Sequence, residues 1–310
     1  MNSGIIRSKF VGALVGTAIG DAIGAFFEGR LRAGPEDIMT VADTQRILRY
    51  TDDTHMMIGV AESLIENNGF DGEHMAHRFV ERYESEPWRG YGPGPPRIFS
   101  LISSGEAWDT VAGLVYKGGS YGNGAAMRIA PVGVFYYDDI EALVKAAYGS
   151  SRITHAHPLG KEGAALLAYT IALVVNLDPA ERFAINDILS DLAAFTRHDL
   201  YGQKINTIKT FLSGVSMQEV ISGLGNGIEA FNSVPTAIYS FLSHCYSYRD
   251  AVLYAVSLGG DTDTIGAMTG ALCGAYLGVD AIPEEWKANL EHREYIEELA
   301  FKLFELKQYI

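Results

Sequence analysis

The chain has 310 residues and is 48% hydrophobic, 20% charged and 11% aromatic. It is too apolar for a disordered polypeptide and long enough for one large core or two smaller ones. Lys and Arg number 24 against 38 Asp and Glu, a net charge of −14, and so acidic a surface argues against direct nucleic-acid binding. An anionic ligand must then find its positive charge in metal ions and backbone N–H groups. Cys245 and Cys273 make neither a disulfide framework nor a Cys-rich zinc site, which points to a reducing, cytoplasmic setting. The longest uncharged apolar stretch, 163–177, is short for a membrane span. Arg7 and Lys9 precede an apolar run that imitates a signal peptide, but Asp21 interrupts it and no cleavage site follows, so it reads as mature protein.

Along the chain the first element is a helix with Gly12, Gly16, Gly20 and Gly24 at four-residue intervals. Gly266, Gly270, Gly274 and Gly278 repeat that spacing near the other end, among Ala267, Ala271 and Ala275. Residues i and i+4 share a helix face, so each segment presents a stripe without side chains. Each Gly weakens a helix by about 1 kcal/mol relative to Ala, so the stripes need a packing reason: two helices with backbones in unusually close contact. Between them, 3.6-residue spacing of apolar positions predicts helices over 58–65, 75–83, 140–148, 163–176, 185–195, 205–212, 236–246 and 251–258. A last helix over 284–306 places Trp286, Leu290, Ile296, Leu299, Leu303 and Leu306 on one side. The stretches 90–96 and 118–124 are loops by their Gly and Pro content, the second leading into a helix-like run over 125–128. Strand alternation is scarce, and no linker, charge block or repeat divides the chain. The expected fold is all-α, a compact single domain over 1–310.

Two acidic runs open predicted helices: Thr51, Asp52, Asp53 and Thr54, and Asp261, Thr262, Asp263 and Thr264. Helix capping accounts for one oxygen of each run. The remaining carboxylates repel one another unless a cation sits between them. Hard cations take carboxylate and hydroxyl oxygens, and two such runs suit a dinuclear site. From spacing alone, metal binding and capping stand level. The loop 118–124, made of Gly118, Gly119, Ser120, Tyr121, Gly122, Asn123 and Gly124, has small residues that let backbone amides face an anion. It lacks the Gly-Lys-Ser/Thr ending of a P-loop, and an ordinary turn is the commoner reading of such a pattern. Tyr116 and Tyr121 can stack on a base or belong to the core. Glu28, beside Gly29, can reach a site or stand solvated. His155 and His157 are two apart with no third ligand nearby, so His155 reads as a ligand contact or hydrogen-bonded residue rather than a zinc ligand.

These runs, in this order, resemble the ADP-ribosyl-acceptor hydrolase family, which includes the dinitrogenase-reductase-activating glycohydrolases. The matching motifs are Gly16 to Asp21, Tyr50 to Thr54, Gly119 to Arg128, Thr154 to Ala156, and Gly259 to Thr264. Blocks at 75–79, 89–92, 224–228 and 233–239 resemble the ADP-ribosylserine and poly(ADP-ribose) hydrolase type in particular. The likeness runs from about residue 10 to 286, and 170–215 holds no matching motif.

The resemblance implies a helical bundle of the ADP-ribosylglycohydrolase type with two Mg²⁺, or Mn²⁺, ions. The implied ligands are Thr51, Asp52, Asp53, Asp261, Asp263 and Thr264, with Glu28 a mobile carboxylate that approaches the metals and takes part with Asp52 in catalysis. Residues 118–124 would hold the diphosphate and adjoining ribose, His155 and Ile228 would line the cleft, and Asp21 would stand behind the metals. Where the family has an aromatic residue just before the glycine loop, this chain has Val115 followed by Tyr116. The implied reaction cleaves the ribose C1″–O bond of ADP-ribosylated proteins or peptides and releases ADP-ribose through an oxocarbenium-like state. The alternatives are cleavage of ADP-ribosylarginine on the same fold, a silent crystallin-like relative, and metal-dependent diphosphate hydrolysis. A monomer without membrane or nucleic-acid partners completes the expectation.

Overall fold

The computed structural model describes residues 2–29 and 32–309. In chain order its helices are α1 (Ser3–Gly24), α2 (Pro35–Thr44), α3 (Asp52–Glu66), α4 (Gly72–Ser85), α5 (Pro95–Ser103), α6 (Val111–Val115), α7 (Ala130–Phe135), α8 (Ile140–Arg152) and α9 (Pro158–Val175). There follow α10 (Ile185–Phe195), α11 (Asp199–Phe211), α12 (Met217–Leu224), α13 (Ala230–Ser243), α14 (Tyr248–Ser257), α15 (Thr262–Leu277), α16 (Glu284–Asn289) and α17 (Arg293–Lys307). Among the described residues there is no β-strand, only two isolated bridges, Leu48 with Leu290 and Gly122 with Glu229. The fold is all-α around one continuous core that reaches from Ile6 in α1 to Phe304 in α17.

The core's axis is the pair α1 and α15. A Cβ on Gly12, Gly16 or Gly20 would lie 2.4, 2.4 and 2.1 Å from the carbonyl oxygens of Gly274, Gly270 and Gly266 respectively. The partners run in opposite order, so the two helices are antiparallel with backbones touching along three turns. Only glycine permits that approach. The Gly16 carbonyl also accepts from the Tyr248 hydroxyl at 2.7 Å, which fixes α14 beside the pair. Two details differ from the expected stripes. Gly24 packs on the Thr262 carbonyl rather than on a glycine, and Gly278 is the C-cap of α15 at φ +84°, facing Ser8.

Every segment with helical periodicity falls on a helix, although 236–246 outruns α13 by three residues and two further readings are corrected. The stretch 284–306 is two helices, because Leu48 bridges into it: the Leu48 N–H donates to the Asn289 carbonyl at 2.8 Å and the Glu291 N–H to the Leu48 carbonyl at 3.1 Å. His292 takes φ +52° at that break, with neither Gly nor Pro there to announce it. The run 125–128 is a series of turns, not helix, and the short α7 starts only at Ala130. The helices α2, α6 and α12 were too short or too polar for a clear period, and α5 begins on Pro95, within the stretch read as loop. The apolar segment 163–177 belongs to α9, whose 18 residues have the length and composition of a membrane span, yet it is mostly buried inside this fold.

The glycine contact gives a direct test. Gly20→Ala should cost more than about 3 kcal/mol in denaturant unfolding, because neither backbone can withdraw. Gly4→Ala, where a Cβ meets only an Asn2 oxygen at 3.6 Å, should be neutral or stabilise by up to about 1 kcal/mol. Equal effects at the two positions would contradict the packing argument.

Candidate active site

Three helix ends meet at the head of a cleft of about 300 Å³. The contact between α1 and α15 brings the end of α1 against the start of α15, where the Thr262 hydroxyl donates to the Gly24 carbonyl at 2.8 Å. One turn earlier on α1, the buried Asp21 carboxylate reaches the start of α3. It accepts from the Thr51 N–H at 3.0 Å and hydroxyl at 2.9 Å, and from the Thr54 N–H at 3.0 Å and hydroxyl at 2.6 Å. Asp21 thus supplies most of the N-terminal capping of α3. The Thr51 oxygen adds an acceptor for the Asp53 N–H at 3.3 Å and keeps a lone pair free. On the other side Tyr50 is held by Glu291, which takes its N–H at 2.9 Å and pairs with Arg89. The break between α16 and α17 is what places Glu291 there.

With capping done by Asp21 and Thr51, the carboxylates of Asp52 and Asp53 are surplus. Asp53 is buried, and its Oδ2 has no hydrogen-bond partner. Asp261, the N-cap of α15, makes no capping bond either; its Oδ2 accepts from the Asn123 amide at 2.5 Å. Its backbone N–H donates to the Asn226 carbonyl at 2.9 Å, an approach that Gly260 permits at φ +78°. Carboxylate oxygens of Glu28, Asp261 and Asp263 lie within 4.8 Å of one another.

Burial and mutual repulsion push Asp52 up to about 7, through burial and then Asp21, and Asp263 up to about 10, through burial and then Asp261. Asp53 is raised well above the usual carboxylate range by burial and Asp263, and Glu28 is raised by burial and Asp261. Even Asp21, with its four donors, is held near 6 by burial. An orphaned buried carboxylate oxygen among crowded acids is what a hard cation satisfies. The donor set fits a metal.

The rest of the cleft is uncharged. Ser120, Gly122, Asn123, Gly124, His155, Ile228 and Tyr116 line it together with Glu28, Thr51, Asp52, Asp53, Asp261, Asp263 and Thr264. Tyr116 rests on Gly94, where a Cβ would stand 2.7 Å from its ring. His155 lies over the loop, since a Cβ on Gly124 would come within 2.6 Å of its ring.

Three residues of the glycine loop differ from expectation. Gly119 is pressed against the His157 backbone, with 2.3 Å left for a Cβ, and Gly118 shapes the turn at φ +86°. The Tyr121 ring packs on His157 and Phe231 at centroid distances of 5.6 and 5.9 Å. None of the three lines the cleft: the His157 backbone holds Gly119, and the bond from the Ala230 N–H to the Tyr121 carbonyl at 3.0 Å ties Tyr121 to the start of α13. Met56, Gly90, Gly92, Pro93, Gly94, Pro95, Met127 and Thr154 line the cleft without having been expected there. For those between 90 and 95 the Gly and Pro density was the sequence signal, while Met127 and Thr154 lie inside the motifs named above.

A family model described as ADP-ribosylglycohydrolase matches residues 2–309. The chain is 35% identical to ADP-ribosylhydrolase ARH3 of Homo sapiens, over 97% of this chain and 94% of that protein. It is 33% identical to an uncharacterized protein of Archaeoglobus fulgidus, with 97% of each covered. A solved structure titled ADP-ribosylglycohydrolase-related protein complex superposes with a TM-score of 0.75 at 26% identity, covering 97% of this chain and 99% of that one. This protein is a glycohydrolase of the ADP-ribosylglycohydrolase family.

Proposed function

We propose that this enzyme releases ADP-ribose by hydrolysing the C1″–O bond of serine-linked ADP-ribose on proteins or peptides, with poly(ADP-ribose) and O-acetyl-ADP-ribose as further O-linked substrates. The observation that carries this reading is the crowd of carboxylates, one with an orphaned oxygen, at the head of an otherwise neutral cleft. The similarity to proteins named ADP-ribosylhydrolase ARH3 supports an ADP-ribosyl substrate. Thr51, Asp52, Asp53, Asp261, Asp263 and Thr264 would hold two divalent cations, Mg²⁺ or Mn²⁺, with Asp21 fixing Thr51 behind them. Such ions, when bound, supply the positive charge that this chain lacks and lower the pKa of a nearby water.

The chain's own groups position and protonate. Ser120, Gly122, Asn123 and Gly124 would face the diphosphate and the adjoining ribose, with His155 and Ile228 on the walls and Tyr116 toward the base. The carboxyl of Glu28, exposed beside Asp263, exchanges a proton with the leaving serine oxygen or the attacking water as C1″ gains oxocarbenium character. Its raised affinity for a proton suits that exchange. The two free, buried cysteines suit the reducing cytoplasm we assign it.

Mass spectrometry of the products from a serine-ADP-ribosylated peptide, with Mg²⁺ and with EDTA, tests the reading. Intact ADP-ribose plus unmodified peptide, lost in EDTA, is expected. AMP plus a ribose phosphate would instead mean diphosphate cleavage, and release only from an arginine-linked peptide would mean N-glycosidic specificity. Glu28→Gln should bind ADP-ribose as the wild type does while turnover falls at least about 100-fold; undiminished turnover would remove Glu28 from the mechanism.

Acid–base linkage yields a second expectation. Asp52 and Asp263 bind protons more tightly folded, near 7 and 10, than unfolded, where 3.8 is usual. The metal-free protein therefore loses stability as pH rises from about 4 to about 10, most steeply below 7 where both groups contribute. Cations relieve the repulsion, so the gain in melting temperature on adding Mg²⁺ should grow between pH 5 and pH 8. In EDTA at pH 8, Asp53→Asn should melt about 2–5 °C higher than wild type and should lose most of the Mg²⁺ response. A Mg²⁺ shift independent of pH would count against the carboxylate cluster as the binding site.

A further inference from the structure

We infer that Arg128, which does not reach the cleft, is a positioning residue that acts through Thr154 to hold His155 as a hydrogen-bond donor toward the bound ligand. Arg128 is fully buried, and among the described residues no carboxylate lies within ion-pairing distance of it. Its Nη2 donates to the Ser150 carbonyl at 2.8 Å and to the Thr154 hydroxyl oxygen at 3.0 Å. Nη1 faces the Met56 sulfur at 3.6 Å, the guanidinium stands 4.4 Å above the Phe79 ring, and Nε has no partner. Burying a cation so poorly compensated is strongly unfavourable for folding, so its presence behind the wall of the cleft calls for a role.

That role follows from counting protons. The Thr154 hydroxyl has one proton to donate, and its oxygen already accepts from Arg128. A guanidinium has no lone pair to take that proton. The other neighbour of the hydroxyl is His155 Nδ1 at 2.8 Å. If Nδ1 carried a proton, the Thr154 hydroxyl proton would be unpaired in a residue only 1% exposed. Nδ1 therefore accepts, and the ring proton resides on Nε2. Burial and the Arg128 charge also push the imidazole down to about 3, so the ring stays neutral. Nε2 lies over the glycine loop, 3.3 Å from a Cβ built on Gly122 and 3.0 Å from one on Gly124, and no group among the described residues pairs with it. An Nε2–H there meets an oxygen-rich ligand such as a nucleoside diphosphate sugar, which has acceptors and almost no donors along its diphosphate. In this respect the inference rests on the function proposed above.

Two-bond ¹⁵N–¹H correlation spectra of histidine-labelled wild-type protein read the tautomer without any variant or ligand. His155 is expected as the Nε2–H form, and an Nδ1–H form would overturn the relay. Calorimetric titration with ADP-ribose adds the functional half. Thr154→Val should lose the single tautomer and bind ADP-ribose about tenfold more weakly, while Thr154→Ser, which keeps the hydroxyl, should match wild type in both. An unchanged tautomer and affinity in Thr154→Val would refute the inference. Wild-type protein that shows Nε2–H but does not bind ADP-ribose would refute the proposed ligand and leave the relay standing.

Discussion

The contact between the glycine faces of α1 and α15 is the constraint on which the site depends. Because Gly20 and Gly266 touch backbone to backbone, the end of α1 and the start of α15 are registered to within a fraction of a side chain. Asp21 then carries that register across to α3 through Thr51 and Thr54. Three helix termini are thereby fixed with no loop between them and the core. Two of them, the starts of α3 and α15, turn the positive ends of their dipoles toward the carboxylates. A cluster that repels itself needs such a frame, since a softer one would spread the acids apart and relieve the charge.

Helix dipoles and Asn123 offset only part of that repulsion. Asp52, Asp53 and Asp263 all remain above the usual carboxylate range, and an oxygen of Asp53 goes without a partner. The metal-free site is thus a store of unfavourable electrostatic energy, on which the cations proposed above would draw. This explains how a chain with a net charge of −14 can take a diphosphate-bearing ligand. Its own surface is the wrong sign, and Arg128, a cation at the cleft's back, is sealed from solvent. On the function proposed above, positive charge would be imported by the acids at the head of the cleft.

What was legible in the sequence is what short-range chemistry dictates. Two acidic runs at helix starts exceed what capping uses, and both reach the head of the cleft. Four glycines at one helical spacing need a backbone for a neighbour, and all four in α1 find one, Gly24 on the Thr262 carbonyl. The glycine loop shows where such reasoning stops. Gly122 and Gly124 make room for His155, Gly119 makes room for His157, and Gly118 turns the chain. Composition is the same for all four, yet only the first two line the cleft, because the His157 backbone, distant in sequence, occupies the space beside Gly119. The break between α16 and α17 was equally hidden. It is imposed by Leu48, more than 240 residues away in sequence, and no local propensity opposes a helix there.

The same distinction applies to Arg128 and Thr154. In a motif each is an ordinary residue, one polar side chain after Met127 and one before His155. Their meaning comes from the geometry that joins them, in which a guanidinium without lone pairs leaves a hydroxyl a single place to send its proton. Residues that touch a ligand announce themselves by chemical type. Residues that decide how those groups are protonated are found only by asking where every buried donor and acceptor is satisfied. In this fold that question leads outward from the cleft twice: from Thr51 to Asp21 on α1, and from His155 to Arg128 beneath α3.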